Sequence, residues 1–169
     1  MSHVAFSLGT NIGDRVAHLD YAIHRLSSAE GISEISISQF YETEPVGGPE
    51  QDNYLNAIVT AESELSPREL LDLCHDIEAG RDRKREVRWG PRTLDVDLLV
   101  VGNVVSDDPE LTIPHPRAHV RGFVLTPWAM IDPNCVIPGH GRVFELAQEI
   151  GSEGVWLSEL QGHGDPNAS

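Results

Sequence analysis

Along the first hundred positions apolar residues recur with two rhythms, one of period two and one near 3.6, and the switches between them lay out a regular series of elements. Val4 to Leu8 reads as a short apolar strand, followed by the loop Gly9-Thr10-Asn11-Ile12-Gly13. From about Asp14, Val16, Leu19, Ile23 and Leu26 fall at helical spacing. The segment from Ile35 through Ile37 to Thr43 alternates like one strand, Pro45-Val46-Gly47-Gly48-Pro49 breaks it, and Tyr54 to Ser63 alternates again. Ser66-Pro67-Arg68-Glu69 is a capping box with proline at the first helical position, and Leu70, Leu73, Cys74 and Ile77 form the buried stripe of a helix that Gly80 should end. A β-branched and aliphatic run from Leu94 to Val101, closed by Gly102-Asn103, predicts the next strand.

The order β-α-β-β-α-β is that of the ferredoxin-like split βαβ motif, an α+β sandwich with both helices on one face of the sheet. The other face is left for ligands or further elements. Candidates to cover it are a helical patch from Arg121 to Ile131, then Phe144, Leu146, Ala147 and Ile150. At 169 residues and 40% hydrophobic the chain can bury one good core, so a single domain over 1–161 is expected. The last residues, 162–169, are rich in Gly, Pro, Asn and Asp and read as a disordered tail.

Chemistry concentrates in the last of these strands. Side chains two apart on a strand share a face, so Asp95 and Asp97 point the same way with one residue between them. Two neighbouring carboxylates in a half-buried place repel, and the usual remedy is a hard divalent cation such as Mg²⁺. A bare Asp-x-Asp on an exposed edge would simply be solvated, but here the surroundings argue otherwise. Of the twelve Lys and Arg in the chain, six (Arg81, Arg83, Lys84, Arg85, Arg88 and Arg92) lie within positions 81 to 92. In a protein of formal charge −15, gathering half of the cations beside two aspartates suits a clamp for a metal-bound polyphosphate. Charge argues against a nucleic-acid surface, because the summed field of a chain of pI 4.7 repels an extended phosphate backbone while tolerating one small anion in a local basic pocket.

No run approaches a membrane span and the N-terminus lacks the layout of a signal peptide, so a cytoplasmic protein without membrane association is expected. Cys74 and Cys135 match no metal or redox spacing and read as free thiols. The glycines at 9 and 13 lack the lysine of a phosphate-binding loop and read as a tight strand-to-helix turn. Tyr54, Asn56 and Ile58 share one strand face, either as a platform for a flat heterocycle or as ordinary core and edge residues. His115, held between Pro114 and Pro116, is followed within eight residues by Arg121 and Phe123, and could donate to a phosphate.

The segment Arg88-Trp89-Gly90-Pro91-Arg92-Thr93-Leu94-Asp95-Val96-Asp97-Leu98-Leu99 closely resembles the signature of the 6-hydroxymethyl-7,8-dihydropterin pyrophosphokinase family. The likeness extends through Leu8-Gly9-Thr10-Asn11-Ile12-Gly13-Asp14-Arg15, Tyr41-Glu42-Thr43-Glu44-Pro45, Tyr54-Leu55-Asn56-Ala57, Ile77-Glu78 with Gly80-Arg81, and Pro114-His115-Pro116 with Arg121-Gly122-Phe123-Val124-Leu125. It covers positions 4 to about 140.

This resemblance implies transfer of a pyrophosphoryl group from ATP to the hydroxymethyl oxygen of 6-hydroxymethyl-7,8-dihydropterin, with release of AMP, in an α/β fold of the ferredoxin-like type; a monomer is expected. Asp95 and Asp97 would hold two Mg²⁺ ions, with Asp95 close to the reacting hydroxyl. Tyr54 and Phe123 would sandwich the pterin, while Thr43, Pro45 and Asn56 complete its pocket. His75, Glu78, Trp89, Arg92, His115 and Arg121 would line the ATP site. Arg81 and Arg83 would ride on a loop that closes over the phosphates, with Arg92 as a third catalytic cation. His75 stands where the family often has glutamine, and Arg117 where some relatives carry an aromatic residue.

Other classes of function would use the same residues differently. Another metal-dependent nucleotidyltransferase or phosphohydrolase would use Asp95 and Asp97 but leaves Tyr54 and Phe123 unexplained, and product identity separates the two. A non-enzymatic pterin- or nucleotide-binding protein would have no need of both aspartates and the arginine segment. A zinc module built from His115, His119, His140 and His163 fits no ligand spacing.

Overall fold

The structure, a computed structural model, describes residues 1–44, 53–81 and 94–162. Its centre is an antiparallel sheet. Strand β1 (Ser2–Thr10) lies between β4 (Tyr54–Ser63) and β5 (Asp95–Val101), in register from Ser2↔Ser63 to Thr10↔Leu55 on one side and from Val4↔Val101 to Gly9↔Asp95 on the other. Beyond β4 come β2 (Ile32–Ile37) and β3 (Tyr41–Thr43), both paired with it. Helix α1 (Arg15–Ser28) links β1 to β2, and α2 (Pro67–Arg81) links β4 towards β5. This is the expected split βαβ arrangement, with β5 at one edge of the sheet.

Both helices start where side chains satisfy their free amides. The Asp14 carboxylate accepts from Ala17 N at 3.1 Å, and Ser66 and Glu69 form a reciprocal capping box, with Glu69 N donating to Ser66 Oγ and Ser66 N to Glu69 Oε1. The helices cover one sheet face, where Leu19, Ile23, Leu26, Leu70, Cys74 and Ile77 bury Val4, Phe6, Leu8, Leu55, Val59, Val96 and Leu98. Leu73 and Val16 lie at the margin of that core.

Helix α3 (Gly122–Ile131) and α4 (Val143–Ile150) cover part of the opposite face, as the C-terminal pattern suggested. There Val124, Leu125, Trp128, Val143 and Leu146 pack on Ala5, Ile58, Leu99 and Val100. Phe144 and Ile150, expected in this layer, are exposed at 45% and 42%, because the short helix turns only Val143, Leu146 and Ala147 inwards. A register shift between β1 and β5 puts two successive residues, Leu99 and Val100, into this second layer. The aspartates of β5 therefore share a sheet face with an apolar patch that α3 seals.

Three expectations are corrected. The Ile35–Thr43 strand is two strands, because Ser38 interrupts it: its amide donates to Ile58 O at 2.9 Å, and its hydroxyl accepts from Ile58 N at 2.8 Å in place of a backbone carbonyl. Gly80 does not end α2, which runs through Arg81; a Cβ at position 80 would stand 1.9 Å from Tyr21 Oη, so glycine serves close helix approach. Gly9 and Thr10 belong to β1, so the turn is shorter than expected.

Small additions were not foreseen. They are the hairpins β6 (Ser106–Asp108) with β7 (Leu111–Ile113) and β8 (Val136–Ile137) with β9 (Gly141–Arg142), and β10 (Val155–Leu157), which adds to the sheet edge at β3. The Pro45–Pro49 break, most of the arginine segment and the tail beyond Gly162 lie outside the described residues. No described helix is long and apolar enough to cross a membrane.

Candidate active site

The second sheet face divides along its length. One half is apolar and covered by α3 and α4; the other carries Ser7 and Gly9 from β1, Tyr54 and Asn56 from β4, Thr43 from β3, and Asp95 and Asp97 from β5. Strand alternation alone accounts for this, since the same strands turn Phe6, Leu8, Leu55 and Val96 to the core beneath α1 and α2. Above the polar half lies a cavity of ≈ 560 Å³, whose lining also includes Arg117, Arg121 and Phe123 from the segment that leads into α3. Its volume is that of a small-molecule site.

Within it, Asn56 Nδ2 donates to Thr43 Oγ1 at 3.0 Å in a buried pair, which fixes the amide orientation. A Cβ at Gly9 would meet Asn56 Oδ1 at 3.1 Å, so the glycine leaves room for that amide. Tyr54 and Phe123 both line the cavity, and the Arg121 guanidinium lies 5.5 Å from the Phe123 ring centre, a cation–π contact that braces the aromatic wall.

Asp97 borders a second cavity too. This one, of ≈ 310 Å³, is lined by His75, Glu78, Val96, His115 and Pro116 together with the β7 segment. Asp97 thus stands at the junction of two spaces, with Asp95 two residues away on the side of the larger. Both carboxylates are half-buried and accessible from the cavity side, and no lysine or arginine is paired with Asp97 among the described residues. Hard oxygen donors, two on one face, fit Mg²⁺ shared with a phosphate ligand.

The partners of this strand are specific. β5 is a sheet edge, and the Val96 amide, turned away from β1, donates to Glu78 Oε2 at 2.9 Å across to α2. Glu78 therefore holds the residue between the two aspartates. The His115 backbone amide donates to Leu99 O at 2.9 Å, and its Nδ1 accepts from Arg117 N at 3.1 Å, which leaves the other ring nitrogen, Nε2, to carry the hydrogen. Burial lowers the His115 pKa; Asp97 opposes this, while Arg121 and Arg117 push it lower still. At neutral pH His115 is an uncharged Nε2–H donor. Burial, reinforced by Glu78 and Asp97, drives the Cys74 thiol far upward, so Cys74 is inert core.

The structure brings together Thr43, Tyr54, Asn56, Asp95, Asp97, Arg121 and Phe123 around one cavity, and His75, Glu78, Asp97 and His115 around the other. It does not bring Arg81 to either. That residue ends α2 instead of riding on a loop; its Nε donates to His18 Nδ1 at 3.0 Å and its guanidinium lies 4.9 Å from the Tyr21 ring centre. Pro45, Arg83, Trp89 and Arg92 lie outside the described residues. Ser7, Gly9, Glu44 and Arg117 line the larger cavity and were not singled out from the sequence as its lining. The period-two pattern of β1 held the signal for two of them, since Ser7 and Gly9 fall on the face opposite Phe6 and Leu8.

Residues 5–133 match the family model described as 7,8-dihydro-6-hydroxymethylpterin-pyrophosphokinase (HPPK). The chain is 42% identical over 155 residues to the 2-amino-4-hydroxy-6-hydroxymethyldihydropteridine pyrophosphokinase of Methylorubrum extorquens, covering 92% of this chain and 98% of that one. It is 42% identical over 132 residues to the Bacillus subtilis protein of the same name, covering 78% and 79%. Among solved structures, a Plasmodium falciparum HPPK-DHPS crystallised with pterin and p-hydrobenzoate superposes with a TM-score of 0.67 at 13% identity, a likeness of fold. That alignment takes in 91% of this chain but 47% of the other, so the chain spans about half the length of that neighbour.

Proposed function

The chain belongs to the 7,8-dihydro-6-hydroxymethylpterin-pyrophosphokinase family, and we propose that its two cavities, meeting at Asp97, are the pterin and ATP sites of that activity. The enzyme transfers pyrophosphate from ATP to the hydroxymethyl group of 6-hydroxymethyl-7,8-dihydropterin, a step of folate biosynthesis. The observation that carries the site reading is that one carboxylate borders both spaces, as required if an acceptor hydroxyl and a triphosphate are to meet in line.

In this reading the larger cavity takes the pterin. Tyr54 and Phe123 stack on its two faces, and the Asn56–Thr43 pair, pinned by its own hydrogen bond, reads the polar edge; Pro45 is assigned to the same substrate. Asp95 faces the hydroxymethyl group and orients its oxygen. The smaller cavity takes the nucleoside, with His75 and Glu78 on the α2 side and His115 offering Nε2–H to a phosphate oxygen. Asp95 and Asp97 would hold two Mg²⁺ ions, which supply charge neutralisation along the triphosphate. Arg121 is already fixed on Phe123 at the cavity rim, while Arg83, Trp89 and Arg92 belong to the adjoining arginine segment and are assigned to the ATP side with it.

The transfer forms a bond from the hydroxymethyl oxygen to the β-phosphorus and breaks the bridge from the β-phosphorus to the α-phosphate, so AMP leaves. It needs little covalent work from the protein. What the chain contributes is alignment of acceptor and donor and cations where charge develops on the leaving oxygens. Arg81 takes part by leaving His18 and Tyr21 for the phosphates. The working unit is one chain, and the reaction belongs in the cytoplasm, where ATP is present.

The test is product identity. Purified protein with Mg²⁺, ATP and 6-hydroxymethyl-7,8-dihydropterin should release AMP only when the pterin is present. ADP would mean transfer of a single phosphoryl group, and no pterin-dependent product would remove the acceptor assignment.

A further inference from the structure

At the end of the sheet remote from both cavities, four side chains from three segments converge. His3 of β1 is held between two carboxylates, with Nδ1 2.7 Å from Glu62 Oε2 on β4 and Nε2 2.7 Å from Asp132 Oδ2 just beyond α3. The Cys135 thiol stands beside both His3 and Asp132. Donor atoms of His3, Asp132 and Cys135 all lie within 4.8 Å of one another. Trp128 Nε1 donates to the same Asp132 oxygen at 3.3 Å, which sets the orientation of that carboxylate.

We propose that His3 Nε2, an Asp132 carboxylate oxygen and Cys135 Sγ form a binding site for one divalent ion of the zinc class. One nitrogen, one oxygen and one sulfur is a borderline-soft donor set, unlike the all-oxygen pair at Asp95 and Asp97, and it selects zinc over magnesium or calcium. In a tetrahedral zinc site the ligand atoms are about 3.3–3.8 Å apart, given metal–ligand bonds of roughly 2.0–2.3 Å, so side-chain adjustment within the observed spacing suffices. Glu62 takes no ligand position. It sits on the other ring nitrogen, where a carboxylate orients a metal-bound histidine and raises its basicity.

The exchange is also balanced in charge. A protonated imidazole, a carboxylate and a neutral thiol sum to zero, as do a neutral imidazole, a carboxylate, a thiolate and a divalent ion. Two protons leave, from His3 Nε2 and Cys135 Sγ, as the ion enters. The fourth position goes to water, since the His3 side chain is 39% exposed. Such an ion ties the start of β1 to the connection between α3 and β8, a structural link distinct from catalysis.

The probe is Co²⁺, added to the metal-stripped full chain in the presence of saturating Mg²⁺, which occupies the oxygen site. Expected is a near-ultraviolet thiolate-to-cobalt absorption band that saturates at one equivalent in the micromolar range. Cys135→Ser should lose the band and keep Mg²⁺-dependent activity, which certifies its fold, while Cys74→Ser should keep the band. Glu62→Gln should keep the band and weaken binding by about 10- to 100-fold. Zn²⁺ should raise the Tm of the wild type and leave Cys135→Ser unmoved. A missing band, or one that survives in Cys135→Ser, overturns the site.

Discussion

Replacing Glu78 by alanine tests how the aspartate strand is held. Val96 is only 3% exposed and its amide has turned away from β1, so loss of the Glu78 carboxylate strands a buried N–H at the edge of β5. A charge-assisted hydrogen bond of this kind contributes about 1.5–3 kcal/mol, most of which reappears as the cost of the unpaired donor. For a chain of this size that corresponds to a fall in Tm of about 3–12 °C. Glu78→Gln keeps a carbonyl acceptor at the same reach and should lose less than half as much. Activity should follow the same order, because Asp95 and Asp97 flank the freed amide and a displacement of about 1 Å at reacting groups costs on the order of a hundredfold. Urea unfolding together with initial rates at varied ATP measures both quantities. If the alanine variant is as stable as the wild type while its KM for ATP rises, Glu78 acts on the nucleotide alone and the strand-holding argument fails.

Four further outcomes are expected. Asp97→Ala should abolish turnover while leaving the circular dichroism spectrum and melting cooperativity intact; normal activity would remove the metal assignment. Arg81→Ala should slow the chemical step more than it weakens ground-state ATP binding, and equal losses in single-turnover rate and ATP affinity would point to a static contact instead. Gly80→Ala, which an isolated helix would welcome by about 1 kcal/mol, should lower stability by about 1–3 kcal/mol because the added carbon collides with Tyr21; a raised Tm would refute this. For Glu42, burial pushes the carboxyl up, but hydrogen bonds from Ser158 and Arg15 outweigh it and hold the pKa below its ordinary value. A depressed folded-state pKa means stability present above the unfolded value near 4.5 and lost as pH falls through the folded one, so the stability gap between wild type and Glu42→Gln should close in acid.

Much of the fold was legible because it rests on local rules. The capping box at Ser66, the helical spacing from Val16 to Leu26 and the period-two pattern of Tyr54 to Ser63 each report a short stretch of backbone, and all three reappear. The shared face of Asp95 and Asp97 follows from strand geometry in the same way. What escaped is long-range. Ser38 splits a strand through its contact with Ile58, a partner twenty residues away. Gly80 looked like a helix terminator, and only the approach of Tyr21 from another helix explains it. His3, Asp132 and Cys135 have no recognisable spacing, since the first is 129 residues from the second. Their meeting depends on how α3 lies across the sheet.

The added strand β10 braces β3 from a part of the chain beyond the family-matched segment, which ends at 133. Val155 pairs with Thr43, Ser158 Oγ donates to Glu42 Oε2 at 2.7 Å, and Gln161 exchanges hydrogen bonds with the Phe40 backbone. Two relatives could therefore carry the same motif residues yet hold Thr43 with different stiffness. Variation in these last turns offers a means of setting how rigidly Thr43 and its hydrogen-bonded partner Asn56 stand in the larger cavity without altering a residue that lines it, and chimaeras exchanging only residues 151–162 would expose that tuning.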